Sequence, residues 1–399
     1  MKPLEGVRIL DMTRVLAGPY CTALLADLGA EIIKLEPLHG DDYRHIGPFV
    51  DGESALFSLS NRGKKSIALN LKAERGLQIA LEIADQVDVV VENFRPGVAA
   101  RIGLGPDTLR ERNPRLVYCS ISGFGQTGPM KDQPAYDLVV QAMSGLMAAT
   151  GEEGGQPLKT GESIADLTGG LFGSWGILAA LVHKGRTGEG ATLDVSMYDA
   201  LYSMLTTSHA LHLYADKTPQ RVGNRHPLST PFGCYETSDG QVVIAVLNAS
   251  QFARFADLIG HGGIESDPRF ASDTARTENE AALRAMIENW SLNRSTEAAI
   301  VDLAGIGIPC APIWDIMQAT NSDHARERGL VRNVTHSKLG ESPVVGQPVF
   351  FNGQKPGADH GAPSLGAEAE EILSTFNGLT SSEIRELCEN GILSSGADR

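Results

Sequence analysis

Short runs of β-branched and other apolar residues alternate, over the first half of this 399-residue chain, with longer stretches in which apolar positions recur every three or four residues. The runs fall at 7–11, 31–36, 66–70, 87–92, 116–122 and 191–196, and read as strands. Helical periodicity covers 19–28, 73–84, 134–149, 168–183 and 197–213. Strand and helix in this order predict an α/β fold, a mostly parallel sheet with helices on both faces.

The pattern changes after Tyr214. Gly223-Asn-Arg-His-Pro227 and Pro231 form a connector. Residues 232–237 and 241–247 flank a turn at Asp239-Gly240 and read as a β-hairpin. Helical stretches follow at 250–259, 278–289 and 296–304, so residues 224–325 are expected to form a smaller α/β domain. After Val331 come an extended segment, a Pro/Gly-rich loop at 353–363 and two last helices at 367–376 and 381–389. A chain of this length exceeds one ordinary core, and two domains are the expectation.

Charge narrows the set of partners. The formal net charge of −15 argues against nucleic-acid binding and against an anionic membrane surface. Any anionic substrate must then meet a local basic patch. No apolar stretch is read as long enough to span a membrane, and the N-terminus runs into a strand-like segment without a signal-peptide pattern. Cys21, Cys119, Cys234, Cys310 and Cys388 are scattered and lack C-x-x-C spacing. They are expected to be reduced thiols of a cytoplasmic protein.

Candidate chemistry centres on Asp166, in Thr160-Gly-Glu-Ser-Ile-Ala-Asp-Leu-Thr-Gly-Gly170. It follows a Gly/Pro-rich loop at 151–157 and precedes an apolar run at 171–181. At or just before a helix start, backbone N–H groups and the positive end of the dipole favour the ionised form. An ionised carboxylate in a partly dry pocket is a nucleophile for acyl groups. The plainer reading of the same residue is an N-cap. Three other patterns carry less. Gly123-Phe-Gly-Gln-Thr-Gly128 matches a dinucleotide fingerprint, but Pro129 and Pro134 follow and no helix opens to receive a pyrophosphate. His209 and His212 sit three apart without a third metal ligand at useful spacing. Arg62-Gly-Lys-Lys65 is either a solvated charged turn or a phosphate clamp.

Many short blocks occur together: Pro3-Leu-Glu-Gly-Val-Arg-Ile-Leu-Asp11, Val15-Leu-Ala-Gly-Pro19, Gly40-Asp-Asp-Tyr-Arg44, Asn61-Arg-Gly-Lys-Lys-Ser66, Val91-Glu-Asn-Phe-Arg-Pro-Gly97 and Tyr136-Asp-Leu-Val-Val-Gln141. In this order they resemble the family III CoA-transferases (the formyl-CoA transferase and carnitine CoA-transferase family). The likeness is strong over about residues 3–200 and weaker, though recognisable, to the C-terminus. It implies a Rossmann-like large domain built from both chain ends, here 1–223 and 326–399, and a small domain at 224–325. It implies a homodimer of two interlocked rings. It also implies transfer of CoA between carboxylic acids through an aspartyl anhydride and an aspartyl-CoA thioester. Acyl-CoA and a small acid are then the substrates, with no metal and no prosthetic group.

By the same resemblance, Asp166 takes the place of the catalytic aspartate. CoA-contacting segments fall on Val15, Leu16 and Ala17, on Leu69 and Lys72, on Asn93, Phe94 and Arg95, and on Arg101 and Ile102. Lys72, Arg95 and Arg101 would meet phosphates and Phe94 would stack on adenine. Gly169 and Gly170 leave backbone N–H groups near Asp166 for a developing oxyanion, or else serve close helix packing. Tyr136, Asp137, Arg44, Arg225 and His226 are candidate binders of the acceptor, with the arginines and His226 directed at a second carboxylate. There are departures. Leu16 replaces a glutamine of formyl-CoA transferase, Pro37 replaces an arginine, and a run of flap glycines is missing, with Gly223-Asn224 the nearest substitute. These changes argue against formate and oxalate as the physiological pair; Arg44, Arg225 and His226 point to a short dicarboxylic acid of the succinate, mesaconate, itaconate or malate type, and a hydrophobic or quaternary-amine acid stays open.

The rival reading is an isomerase, since α-methylacyl-CoA racemases share this fold and most of these motifs. A racemase needs two acid/base groups on opposite sides of an α-carbon. Tyr136-Asp137 stands where that branch has a His-Asp pair, so half of the proton-transfer pair is missing. A CoA-dependent hydratase is a further alternative.

Overall fold

The computed structural model describes residues 1–394, and the last five positions of the expected 326–399 segment lie outside the described residues. By their contacts the residues form two units. One comprises Met1–Leu146, Lys159–Thr206 and the chain from His324 onward; the other comprises Met147–Leu158 and Thr207–Asp323.

The first unit is built on seven strands. Six are parallel: β1 (Arg8–Asp11), β2 (Glu31–Glu36), β3 (Lys64–Leu69), β4 (Val89–Glu92), β5 (Val117–Ser122) and β6 (Thr192–Ser196). Their spatial order is β3-β2-β1-β4-β5-β6, and Leu393–Ser394 adds an antiparallel edge beside β3. The fold is thus mixed α/β with a mainly parallel central sheet. Successive strand residues point to opposite faces, and both faces are covered. Leu10, Ile33, Ile67, Val90 and Tyr118 pack beneath the helix Glu74–Ala84 and the late helices Ala369–Asn377 and Ser381–Glu389. Ile9, Ile32, Val89, Val117 and Cys119 pack beneath α1 (Ala17–Asp27), α3 (Ile164–Thr187) and α4 (Met197–Ser203). A further helix on that side, α2 (Asp137–Met143), also contacts α3. The helical pattern at 134–149 breaks after α2 at Gly145, which takes a φ of 96°.

Helix α3 corrects the reading of the chain as lacking any span-length apolar segment. Its 24 residues are long and apolar enough to cross a membrane by length and composition. Its contacts are those of a core helix, against α1, α2, α4, β5 and β6. Close approach explains its glycines. A Cβ on Gly170 would lie 2.5 Å from the Ala17 carbonyl oxygen, and one on Gly169 would lie 2.8 Å from the Met197 side chain.

The second unit has its own core. Phe232–Glu236 and Gln241–Ala245 pair antiparallel as expected, and Cys310–Pro312 adds a third strand. Tyr235, Val242, Ile244, Phe252, Phe255, Leu283 and Leu303 fill the space beneath its helices. Met147–Leu158 joins this unit through Arg221, which donates to the Ala148 and Gly155 carbonyls. All five cysteines are free thiols.

Candidate active site

In a parallel sheet, ligands bind beyond the carboxyl ends of the strands where the strand order reverses. Here the chain builds β1, β2 and β3 outward in one direction and then returns to place β4 on the other side of β1. The reversal therefore lies between β1 and β4. The loops that leave these two strands are 12–16 and 93–97, and they are tied together. Asn93 accepts from the Arg14 N–H at 2.9 Å and donates to the Arg14 carbonyl at 2.8 Å.

Asp166 lies on the α1-facing side of the sheet, in the first turn of α3. It is not the N-cap. That position is Ser163, whose side chain caps nothing, and the helix begins at Ile164. The cap comes instead from Asp137 on α2, whose Oδ1 accepts from the Ala165 N–H at 2.8 Å. The other Asp137 oxygen accepts from Gln141 Nε2 at 2.6 Å. Gln141 is fully buried and accepts from the Thr160 N–H at 3.0 Å, which pins the loop that leads into α3. One carboxylate thus satisfies the helix end, and the next one is left free. Among the described residues the Asp166 side chain has no hydrogen-bond or ion-pair partner.

The expectation that the helix start would favour ionised Asp166 is overturned. Burial, and then the adjacent negative charge of Asp137, push its carboxyl up to about 7. The helix dipole is worth well under such a shift once a neighbouring anion already occupies the N–H groups. Tyr43 stands within electrostatic reach of both carboxylates. Burial, Asp166, Asp41 and Asp137 all raise its phenol, so it stays a neutral donor.

The expected oxyanion role of Gly169 and Gly170 also fails. Both sit beyond the first turn of α3, where each N–H is bonded within the helix, and they serve close packing against Met197 and Ala17. The phosphate-clamp reading of Arg62-Gly-Lys-Lys65 is corrected too. Arg62 is buried against Asp27, Lys64 against Asp11, and Lys65 bonds Glu31 and Glu371.

Lys72, Arg95 and Arg101 are different. All three are exposed and lack an ion-pair partner among the described residues. Lys72 follows β3, Arg95 follows β4, and Arg101 ends the short helix Val98–Arg101. Val15 and Leu16 are half-buried at the entry to α1, and Ala17 is buried. Phe94 and Ile102 pack against the core, and the Leu69 side chain is inside it. No group of three or more His, Cys, Asp or Glu side chains suited to a metal ion occurs among the described residues.

The sequence model of CoA-transferase family III matches residues 4–369. The chain belongs to that family. It is 42% identical over 380 residues to the acetyl-CoA:oxalate CoA-transferase of Acetobacter aceti, covering 94% of this chain and 96% of that one. It is 38% identical over 395 residues to the succinyl-CoA:glutarate CoA-transferase of Mus musculus, covering 98% and 91%. A CaiB/BaiF family protein from Brucella suis, known from its crystal structure, superposes with a TM-score of 0.83 at 34% identity, covering 94% of this chain and 99% of that one.

As a family III CoA-transferase, the protein needs side chains that are free to meet a second substrate. Tyr136 is exposed at the start of α2, while Asp137 is committed to the α3 cap. Arg44 is removed from the acceptor set. Its guanidinium binds both oxygens of Glu36 at 2.8 and 2.7 Å, donates to the Pro363 carbonyl and stacks 3.7 Å over Phe57. Arg225 pairs with Glu153 at 2.9 Å, and His226 stacks on Phe232. Gln141 and Tyr43 escaped the sequence reading. Both stand in blocks that carry the resemblance, and a further signal for Gln141 was its spacing of four from Asp137, which pairs Gln with Asp along a helix face.

Asp166 sets a pH dependence of stability. The folded chain holds its proton more tightly than the unfolded chain, whose carboxyl titrates near 3.8. Stability therefore falls as pH rises through that interval, and above about 7 the ionised carboxylate is a standing cost. Asp166→Asn should raise the Tm at about pH 8 and leave it unchanged at about pH 4. Equal gains at both pH values would show that the carboxylate charge is not the cause.

Proposed function

We propose that the protein moves CoA from an acyl-CoA donor to a dicarboxylic acid, with Asp166 as covalent nucleophile. The observation that carries this is the contrast between Asp166 and its neighbours. Asp11, Asp27, Glu36, Asp41 and Asp137 all have hydrogen-bond or ion-pair partners, whereas Asp166 has none among the described residues. An unpaired, partly desolvated carboxylate is costly to keep and is reactive toward a thioester.

In this reading an Asp166 oxygen attacks the thioester carbon, the C–S bond breaks, and a mixed anhydride and CoA thiolate result. The thiolate then attacks the Asp166 carbonyl, releasing the donor acid and leaving an aspartyl-CoA thioester. The acceptor carboxylate attacks that thioester to give a second anhydride and free thiolate. Attack of the thiolate on the acceptor's carbonyl yields the new acyl-CoA and restores Asp166. Lys72, Arg95 and Arg101 supply charge for the CoA phosphates, and the loops at Val15–Ala17 and Asn93–Phe94 supply contact area. The larger unit is then the CoA-binding and catalytic domain.

The acceptor class rests on the relatives' names, which give oxalate and glutarate. Oxalate stays among the acceptors to assay despite Leu16. The racemase alternative finds no support, because Asp137 is held in the cap and Tyr136 offers no basic nitrogen. An interlocked homodimer accounts for the apolar side chains Leu138, Val139 and Met143 on α2 and Leu171, Trp175 and Val182 on α3, all of them exposed in the single chain. Light scattering on dilution tests that assembly.

Asp166→Ala should abolish transfer from succinyl-CoA or acetyl-CoA to oxalate and glutarate while CoA still binds. Hydroxylamine should trap a hydroxamate on Asp166 during turnover, read by mass spectrometry. Substantial transfer by the alanine variant would overturn the mechanism.

Removing both guanidinium groups, Arg95→Ala with Arg101→Ala, should raise the KM for acyl-CoA by about tenfold or more with a much smaller change in kcat. An unchanged KM would place the phosphates elsewhere.

A further inference from the structure

Val15 is a β-branched residue with a φ of 67°. That is the left-handed region, which such residues avoid and which persists only where the surroundings over-determine it. The surroundings here can be named. The Thr13 N–H donates to Asp11 at 2.8 Å, and the Thr13 carbonyl accepts from Lys34 Nζ at 2.9 Å. Both main-chain groups of Arg14 are bonded to Asn93. The Val15 N–H donates to Asp41 Oδ1 at 2.9 Å. Three consecutive residues are thus held by side chains from outside the turn.

Asp41 is the hub of this arrangement. Its Oδ1 also accepts from the Tyr43 N–H at 3.0 Å, and its Oδ2 pairs with Lys34 at 2.9 Å. Both partners of that ion pair are buried to within about 1%. The Asp41 N–H in turn donates to Glu36. The turn leads directly into Leu16 and Ala17. The Ala17 carbonyl packs against Gly170, one helical turn beyond Asp166 on α3. That oxygen therefore indexes the entry to α1 to the side of α3 that bears Asp166, and Asp41 Oδ1, which holds the Val15 and Tyr43 N–H groups together, ties the segment carrying Tyr43 to the same turn.

We propose that Asp41 is a positioning residue for CoA transfer: charged against Lys34, it holds Val15 in its left-handed conformation and so presents the Val15–Ala17 turn to acyl-CoA beside Asp166. Asp41 itself touches no substrate. The proposal rests on the transfer reading above and adds to it the reason for a strained valine at the reversal of the sheet.

The test uses the full chain and a change at Val15 that supplies the same conformation without the clamp. Glycine takes positive φ freely. Asp41→Asn should lower kcat/KM for acyl-CoA by about tenfold or more, since a strained turn released from its clamp leaves the competent conformation in a minority. Val15→Gly in the Asp41→Asn background should then recover activity to within about threefold of Val15→Gly alone, a coupling that independent sites do not show. A role of Asp41 in general stability or in the local field would not be relieved by a change at Val15. A double variant no more active than Asp41→Asn overturns the proposal. Should Asp41→Asn alone not fold, the comparison is Val15→Gly against the double variant. A double variant that is folded but inactive, or that also fails to fold, overturns the proposal as well. The parent chain and Asp166→Ala are run alongside. A parent that neither binds CoA nor transfers it, or a fully active Asp166→Ala, would remove the reading of function instead.

Discussion

Two fully buried lysines organise the loops beyond β1 and β2. Lys34 on β2 and Lys64 on β3 have no exposed surface, and a buried charge is tolerable only when paired and hydrogen-bonded. Each draws a carboxylate to itself. Lys64 binds Asp11 at 2.8 Å and Lys34 binds Asp41. Burial alone would raise Asp11, yet Lys64 and Lys34 pull it down to about 2. Burial lowers Lys64 to about 8 against the pull of Asp11. Asp11 ends β1 and Asp41 lies in the loop after β2, so the segments beside these two carboxylates inherit their positions. Asp11 fixes Thr13 and Thr22, Asp41 fixes Val15 and Tyr43, and Glu36 fixes Arg44 and Ser66. Such pairs are weak evidence for stability and better evidence for geometry.

Asp166 reverses that rule. Asp11, Asp27, Glu36, Asp41 and Asp137 are satisfied, and the helix end that would have claimed Asp166 as a cap is already served by Asp137. Burial, and then the negative charge that does the capping, raise the Asp166 carboxyl, so the neighbour that frees the side chain also adds to the cost of its ionised form. A group whose pKa lies near working pH is ionised often enough to attack and basic enough to be a good nucleophile. The stability given up at Asp166 is supplied by the packing of α3 on α1, where glycines let the two backbones approach closely.

Much of the sheet was visible in the sequence, because strands in a covered parallel sheet are apolar runs set between helical periods. The span at 31–36 matches β2 residue for residue, and the helix at 381–389 matches Ser381–Glu389. Other elements carry no local signal. Leu393–Ser394 is two residues long and exists as a strand only because β3 offers it an edge. The hairpin of Val331–His336 and Gly340–Val345 was read as one extended segment. The site divided in the same way. The resemblance to a family pointed to Asp166, Lys72, Arg95 and Arg101, and the structure leaves the side chains of all four without an ion-pair partner among the described residues. Arg44 and Arg62-Gly-Lys-Lys65 were misread, because a charge printed in a sequence shows its sign and not its partner. The missed clue was Lys34, one cation in the apolar run Glu-Ile-Ile-Lys-Leu-Glu, which must find a buried anion if that run is a central strand.

Partnering also reconciles an acidic chain with an anionic substrate. Some basic residues are spent inward, such as Lys34, Arg44, Arg62 and Lys64, and others, Lys72, Arg95 and Arg101 among them, face outward without an ion-pair partner among the described residues. The net charge of −15 is a sum over the whole surface. At physiological ionic strength exposed charges act over roughly 8 Å, so a phosphate arriving at the loops after β3 and β4 responds to the groups beside it. An unpaired guanidinium there keeps its full set of donors for bidentate contact.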